Sequence, residues 1–173
     1  MGDTAKISDT MLRVDQAGEY GATRIYAGQL AVMGNRARHA ADIAAMAEQE
    51  AGHRARFDAL MAARGVRPTA LQPVWNVAGF ALGATTALLG PEAAMACTAA
   101  IEEEIERHYS QQLDTLGSSD PELSNMIEEF RSDEREHRAT ALAAGAERAP
   151  AFPLLSGAIR LGCRLAIRLS ERI

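Results

Sequence analysis

Aromatic side chains are scarce in this sequence: four Phe, three Tyr and one Trp among 173 residues, 5% of the chain. Glycine and proline do not recur every eight to twelve residues, as the turns of a sandwich or barrel require; they cluster in a few places, and alanine is abundant. This balance excludes the common all-β architectures and favours helices. Cysteine is almost missing. Cys97 and Cys163 stand alone, outside any CxxC, so neither a disulfide framework nor a zinc ribbon is expected, and both read as thiols in a reducing compartment. Positive charge is not in excess. A net charge of −5 offers nucleic acid no general attraction, and none is expected as a partner. The opening MGDTAKISDT has no apolar stretch of the kind a secretory signal needs. No Gly-rich nucleotide fingerprint follows a strand, so no built-in nicotinamide domain is expected.

What the chain does have is helical periodicity over a length that suits one domain, residues 1–173, with a full core. From about Ser8 to Val32, apolar residues recur at three- and four-residue steps, with Ser8 or Asp9 in capping position. A second stretch runs from about His39 to Arg64 and stops at Gly65. Residues 66–73 read as a connection, followed by the apolar segment VWNVAGFALGATTALLG, residues 74–90. Pro91 suits the first turn of a helix reaching about Leu116, and Asp120-Pro121 reads as an N-cap with a following proline, opening a helix to about Ala146. APAFP breaks the chain before a last helix over 154–171. The expected fold is all-α: four long helices in two pairs, a short apolar helix between the pairs, and an amphipathic C-terminal helix.

The two pairs look duplicated, with halves at about 8–65 and 91–147. A shift of 83 residues carries Glu19 onto Glu102, Arg24 onto Arg107, Tyr26 onto Tyr109, Gln29 onto Gln112, Leu30 onto Leu113 and Gly34 onto Gly117. A shift of 84 carries Glu50, His53 and Arg54 onto Glu134, His137 and Arg138. Each half therefore offers one Glu on its first helix and Glu-x-x-His on its second. Residues three apart share a helix face, so both members of each Glu-x-x-His reach toward one point. Four carboxylates and two imidazoles so arranged are the ligand set of ferritin-like di-iron and di-manganese bundles. Buried together, four unpaired carboxylates cost several kcal/mol each, roughly, and two divalent cations offset that repulsion. Mixed carboxylate–imidazole ligation suits iron or manganese.

Glu102 is preferred to Glu103 because it alone stands seven residues before a Tyr, as Glu19 does. Glu48, Glu103, Glu104, Glu106, Glu128, Glu129 and Glu136 read mostly as a solvated helix face. Asp133, beside Glu134, and its counterpart Gln49 are candidates to orient the imidazoles. Tyr26 and Tyr109, two turns beyond the lone glutamates, are candidates to lie near the site. His39 and His108 have no partner in the repeat and read as loop-edge or surface residues.

The stretches LRVDQAGEYGATRIYAGQ, MACTAAIEEEIERHY, DEREHRA and GCRLAIRLSERI resemble the demethoxyubiquinone hydroxylase family, over about Met11 to Ile173. One position departs from it: the family often has His where Gln16 stands. The resemblance implies a ferritin-like bundle with Glu19, Glu50, His53, Glu102, Glu134 and His137 as ligands of two iron ions, and leaves open which of Glu50, Glu102 and Glu134 bridge. It implies a monooxygenase that uses O2 to hydroxylate the ring of a polyprenylated methoxy-benzoquinol in ubiquinone biosynthesis. The electrons would come from an external reductant, NADH, directly or through the quinone pool. An accessory lipid-binding protein and a homo-oligomer are further candidate partners.

A polyprenyl substrate lives in a bilayer, so a membrane-facing surface is expected, and with it a peripheral enzyme on the cytoplasmic face of the inner membrane. Residues 74–90 read as a helix lying in the interface, against the alternative of a buried inter-repeat helix; they are too short and too polar to favour spanning. In the last helix Arg160, Arg164, Arg168 and Arg172 form a basic stripe, which suits anionic headgroups and equally a packed helix with a solvated edge. The alternative function is ferritin-like iron binding and oxidation without an organic substrate. A purely structural bundle gives no reason to bury four glutamates.

Overall fold

A computed structural model describes the backbone of residues 2–173 and the side chains of residues 5–173. Among them there are six α-helices and no strand: α1 (Gly2–Met33), α2 (Ala40–Arg64), α3 (Gln72–Leu88), α4 (Pro91–Leu116), α5 (Pro121–Ala143) and α6 (Phe152–Ser170), with a 3-10 turn at Ala146–Arg148 before α6. The first helix begins six residues before the expected Ser8. No breaker lies in Asp3–Ile7, and Ser8 is a buried helical residue instead of a cap. The α2 stop is as expected: Gly65 adopts φ 69°, and the N–H groups of Gly65 and Val66 close back onto Ala62 and Met61. At the start of α5 the Asp120 carboxylate accepts from the Leu123 N–H at 3.2 Å, with Pro121 in the first turn. That helix ends at Ala143, short of Ala146, where Gly145 turns left-handed at φ 95°. Pro73 and Pro153 fall inside the first turns of α3 and α6, so both helices start two residues earlier than expected.

The helices α1, α2, α4 and α5 form the bundle, and α3 and α6 lie against it, on α1 and α4 respectively. Two apolar clusters fill the bundle interior. One contains Tyr26, Ile43, Met46 and Met95; the other contains Leu12, Phe57, Leu123 and Phe130. Between these residue positions on every bundle helix come the polar ones: Glu19 on α1, Glu50 and His53 on α2, Glu102 on α4, Glu134 and His137 on α5.

The inter-repeat helix α3 is seated by backbone contact. A Cβ on Gly83 would stand 1.9 Å from the Ile25 carbonyl oxygen, and one on Gly28 2.2 Å from that of Phe80. Only the absence of side chains lets α1 and α3 approach this closely. The far side of α3 stays open: Val77 is 72% and Leu88 74% exposed. Thus α3 is half packed and half presented. No helix among the described residues is long and apolar enough to cross a membrane.

Candidate metal centre

Glu19, Glu50, His53, Glu102, Glu134 and His137 converge in the bundle interior, each no more than 4% exposed. They form two groups of four whose ligand atoms lie within 4.8 Å of one another: Glu19, Glu50, His53 and Glu134, and Glu50, Glu102, Glu134 and His137. Glu50 and Glu134 belong to both groups, whereas Glu19 and Glu102 each belong to one. The Nδ1 of His53 is 3.7 Å from Glu19 and 3.5 Å from Glu134. The Nδ1 of His137 is 3.1 Å from Glu50, 3.4 Å from Glu134 and 4.0 Å from Glu102.

The inward atoms lack hydrogen-bond partners. Both oxygens of Glu50 and of Glu134, Oε2 of Glu19 and of Glu102, and Nδ1 of both histidines are buried and unpaired. Buried polar atoms are normally satisfied, and leaving eight unsatisfied in one place is costly. A cluster of hard oxygen donors with two imidazole nitrogens, all aimed at a common centre, fits a pair of divalent cations.

Electrostatics in the metal-free chain carries the mark of that crowding. Burial and the neighbouring carboxylates of Glu134 and Glu19 push Glu50 well above the usual range. Burial, then Glu134, does the same to Glu102, and burial raises Glu134. Burial opposes the charged form of His53 too, but the flanking carboxylates of Glu134 and Glu19 outweigh it and raise the imidazole to about 10. Burial also works against ionised Glu19, yet contacts with Glu50 and His53 bring it below the ordinary value.

The surrounding support is crossed between the halves. Tyr26 on α1 donates to Glu102 on α4 at 2.5 Å, and Tyr109 on α4 donates to Glu19 on α1. His53 on α2 places Nε2 3.0 Å from the Asp133 carboxylate on α5, and His137 on α5 places Nε2 3.0 Å from the Gln49 side-chain oxygen on α2. Asp133 and Gln49 are thus partners of imidazoles, each serving the histidine of the opposite half. With Nε2–H engaged outward, Nδ1 of each ring faces the carboxylates.

Three residues fall outside what sequence spacing indicated. Glu104, read as solvated, is 1% exposed and accepts from Arg107 and from Arg164 of α6. Burial opposes its charge, but the two guanidiniums hold its carboxyl below the ordinary value. His108, read as a surface residue, is largely covered, with Nε2 2.9 Å from Gln112 and 3.5 Å from the buried carboxylate of Asp15. Gln16 is buried, donates to Asp58 at 2.9 Å and belongs to neither group of four. Asp15 and Gln16 follow the buried Leu12 by three and four residues and so share its covered side of α1. His39 is the loop-edge residue expected, left-handed at φ 67° before α2.

Beside the polar centre runs an apolar groove of about 440 Å³ between α1, α3, α4 and α6. Ala22 and Ile25 of α1 and Ile101 of α4, next to Glu102, form its inner wall; Leu82, Ile159 and Ile167 form the outer one. Gly18, Gly21 and Gly162 also line it, and a Cβ on any of them would meet nothing within 4 Å. These glycines leave space, at a cost of about 0.5–1 kcal/mol each in helix stability. Outside the groove, Leu154, Leu161, Leu165 and Leu169 of α6 are exposed. The expected arginine stripe divides: Arg160 and Arg164 of α6 turn to Glu103 and Glu104 of α4, while Arg168 and Arg172, the latter past the end of α6, remain exposed.

Residues 6–170 match the family model described as ubiquinone biosynthesis protein COQ7. A protein of Rhodospirillum rubrum named 3-demethoxyubiquinol 3-hydroxylase is 57% identical over 169 residues, covering 98% of this chain and 80% of that one. A human protein named NADPH-dependent 3-demethoxyubiquinone 3-hydroxylase, mitochondrial, is 53% identical, covering 95% and 77%. A Saccharomyces cerevisiae protein named 5-demethoxyubiquinone hydroxylase, mitochondrial, is 40% identical, covering 98% and 79%.

Proposed function

Because the chain belongs to the family described as ubiquinone biosynthesis protein COQ7, we propose that it hydroxylates the ring of a demethoxy-polyprenyl-benzoquinol. The reaction consumes O2 and two electrons; one oxygen atom enters the ring and the other leaves as water. Two iron ions would be held by Glu19, Glu50, His53, Glu102, Glu134 and His137, of which Glu50 and Glu134 belong to both groups of four. Bound iron supplies the reduction of dioxygen.

The chain's own residues then do four things. The carboxylates and Nδ1 atoms bind the ions and offset their charge. Tyr26 and Tyr109 fix the oxygens of Glu102 and Glu19 by hydrogen bonds and leave the second oxygen of each free to ligate. Asp133 and Gln49 hold the rings so that Nδ1 faces inward. The apolar clusters on either side of the polar layer keep bulk water from the reacting atoms.

The observation that carries the reading is the adjacency of this centre to the apolar groove, whose wall includes Ile101 beside Glu102. An iron-storing protein has no use for such a groove, whereas a polyprenyl tail needs one. The exposed leucines of α6, Val77 and Leu88 of α3, and the exposed Arg168 and Arg172 suit the interfacial region of an anionic bilayer. We place the enzyme as a peripheral protein on the inner membrane, drawing substrate from the lipid phase. The electrons come from an external reduced nicotinamide nucleotide, in keeping with the name of the human relative.

Protein reconstituted anaerobically with ferrous iron should bind about two ions per chain and, given the demethoxy-quinol, O2 and reductant, yield a product one oxygen atom heavier. Iron uptake far beyond that stoichiometry without hydroxylated product overturns the proposal in favour of storage.

A further inference from the structure

The crossed support of the two histidines has a chemical asymmetry. Gln49 and Asp133 are equivalent under the same 84-residue shift that superposes the two Glu-x-x-His pairs. Yet one is a neutral amide and the other a carboxylate. Resting on the two-ion reading above, we propose that the two metal positions are unequal, that the position of Glu19 and His53 fills first and binds more tightly, and that Asp133 is the positioning residue responsible.

A carboxylate accepting the Nε2–H of His53 at 3.0 Å pulls the proton outward and makes Nδ1 a stronger donor to a cation. The amide oxygen of Gln49, at the same 3.0 Å from His137, carries only a partial charge. Gln49 is exposed, so water competes for its oxygen, whereas Asp133 is half-buried. The ring of His53 is also held on its face: Phe130 stacks on it with centroids 3.9 Å apart, and Phe57 braces Phe130 edge-on at 5.1 Å. The residue equivalent to Phe130 in the first half is Met46, whose sulfur lies 3.9 Å from the Tyr26 hydroxyl. A flexible thioether replaces a flat ring.

The charge of the neighbouring Arg56 is already engaged. Arg56 sits over Phe130 at 4.6 Å, but its two terminal nitrogens hold Glu129 at 2.6 and 2.8 Å. The anionic partner of His53 is therefore not neutralised by a bidentate arginine of its own. His53 thus has the anionic hydrogen-bond partner and the better fixed ring.

The test is a titration of the metal-free protein with Co²⁺, read by its visible absorption and by calorimetry. Two variants isolate the positions: Glu102→Ala leaves the Glu19–His53 position, and Glu19→Ala leaves the Glu102–His137 one. The Glu102→Ala protein should bind its single ion about 10–100-fold more tightly, the range typical of outer hydrogen-bond partners. Adding Asp133→Asn to Glu102→Ala should erase that advantage, and adding Gln49→Glu to Glu19→Ala should create it. The second change lies at an exposed residue, so folding does not limit it; helical circular dichroism checks each variant. Equal affinity in the two single-position variants, or a separation untouched by Asp133→Asn and Gln49→Glu, overturns the inequality while leaving two-ion binding intact. Failure of the unaltered protein to bind Co²⁺ at all would instead refute the two-ion reading.

Discussion

The polar centre and the apolar groove lie side by side on α1 and α4 and are built on opposite principles. In the centre, identity is everything: each position needs a carboxylate or an imidazole, at one spacing, with its inward atoms unsatisfied and its outward atoms engaged. In the groove, identity hardly matters. Alanine, glycine, leucine and isoleucine line it, and its shape follows from what they leave out. The centre is specified by the groups present, and the groove by the volume withheld.

Glu50 and Glu134, which belong to both groups of four, are the most sensitive positions of the centre. Glu134→Ala should abolish turnover and bring metal content from about two ions to below one, because both groups of four lose a member. Metal analysis and product mass check this, and retention of two ions would remove Glu134 from the proposed ligand set.

The groove should respond to filling and not to charge. Gly162→Leu puts a side chain where nothing now lies within 4 Å, so metal content and melting temperature should hold. Turnover of a long-tailed quinol should fall about tenfold or more, while a tail-less analogue is spared; one methylene in an apolar site is worth about 1–3 kcal/mol. Equal losses for both substrates would detach the groove from the tail. By contrast Gly83→Ala, whose Cβ meets the Ile25 carbonyl at 1.9 Å, should cost about 1–3 kcal/mol or more in stability by thermal unfolding.

A gentler probe is pH. In the metal-free protein His53 is raised from 6.5 to about 10, so between those values the folded chain holds a proton that the unfolded chain has lost. That stabilisation is complete below pH 6.5 and drains away as pH climbs toward 10. The carboxyls of Glu50 and Glu102, raised by burial, drain in the same direction. The melting temperature of the chelator-treated protein should therefore decline by several degrees across this window, and the slope should vanish in the metal-loaded protein, where Nδ1 carries no proton. A flat profile in the metal-free protein would contradict the assignment. The smallest effect belongs to Arg164→Met, which releases one of the two partners of Glu104; Arg107 still holds that buried carboxylate, so the midpoint of denaturant unfolding should fall only slightly.

The same contrast explains what could be read from the chain alone. The helices were legible from three- and four-residue periodicity, and Gly65 and Asp120-Pro121 marked two of their ends; the six inward residues were legible because duplication repeated an improbable combination at one offset. The crossing of supports was not. Asp133 neighbours Glu134, and nothing in spacing says that its carboxylate reaches His53 on another helix, because a side chain's partner across a bundle depends on how the helices are rotated. Glu104 was misjudged for a related reason. It stands in the run Glu102-Glu103-Glu104, and whether the third carboxylate meets water or Arg164 is decided by where α6 lies. The groove left no signature at all, since Gly18, Gly21 and Gly162 resemble any helix-weakening glycine until the space beside them is seen.

Tyr26, Tyr109, Gln49 and Asp133 each brace a residue of the other half. A solitary helical hairpin of this kind has no means to steady its own acidic and imidazole groups; only a second copy, turned to face it, completes the bracing. The reciprocal pattern is that of a two-fold pair written into one polypeptide, so damage to either hairpin unsettles the groups carried by the other.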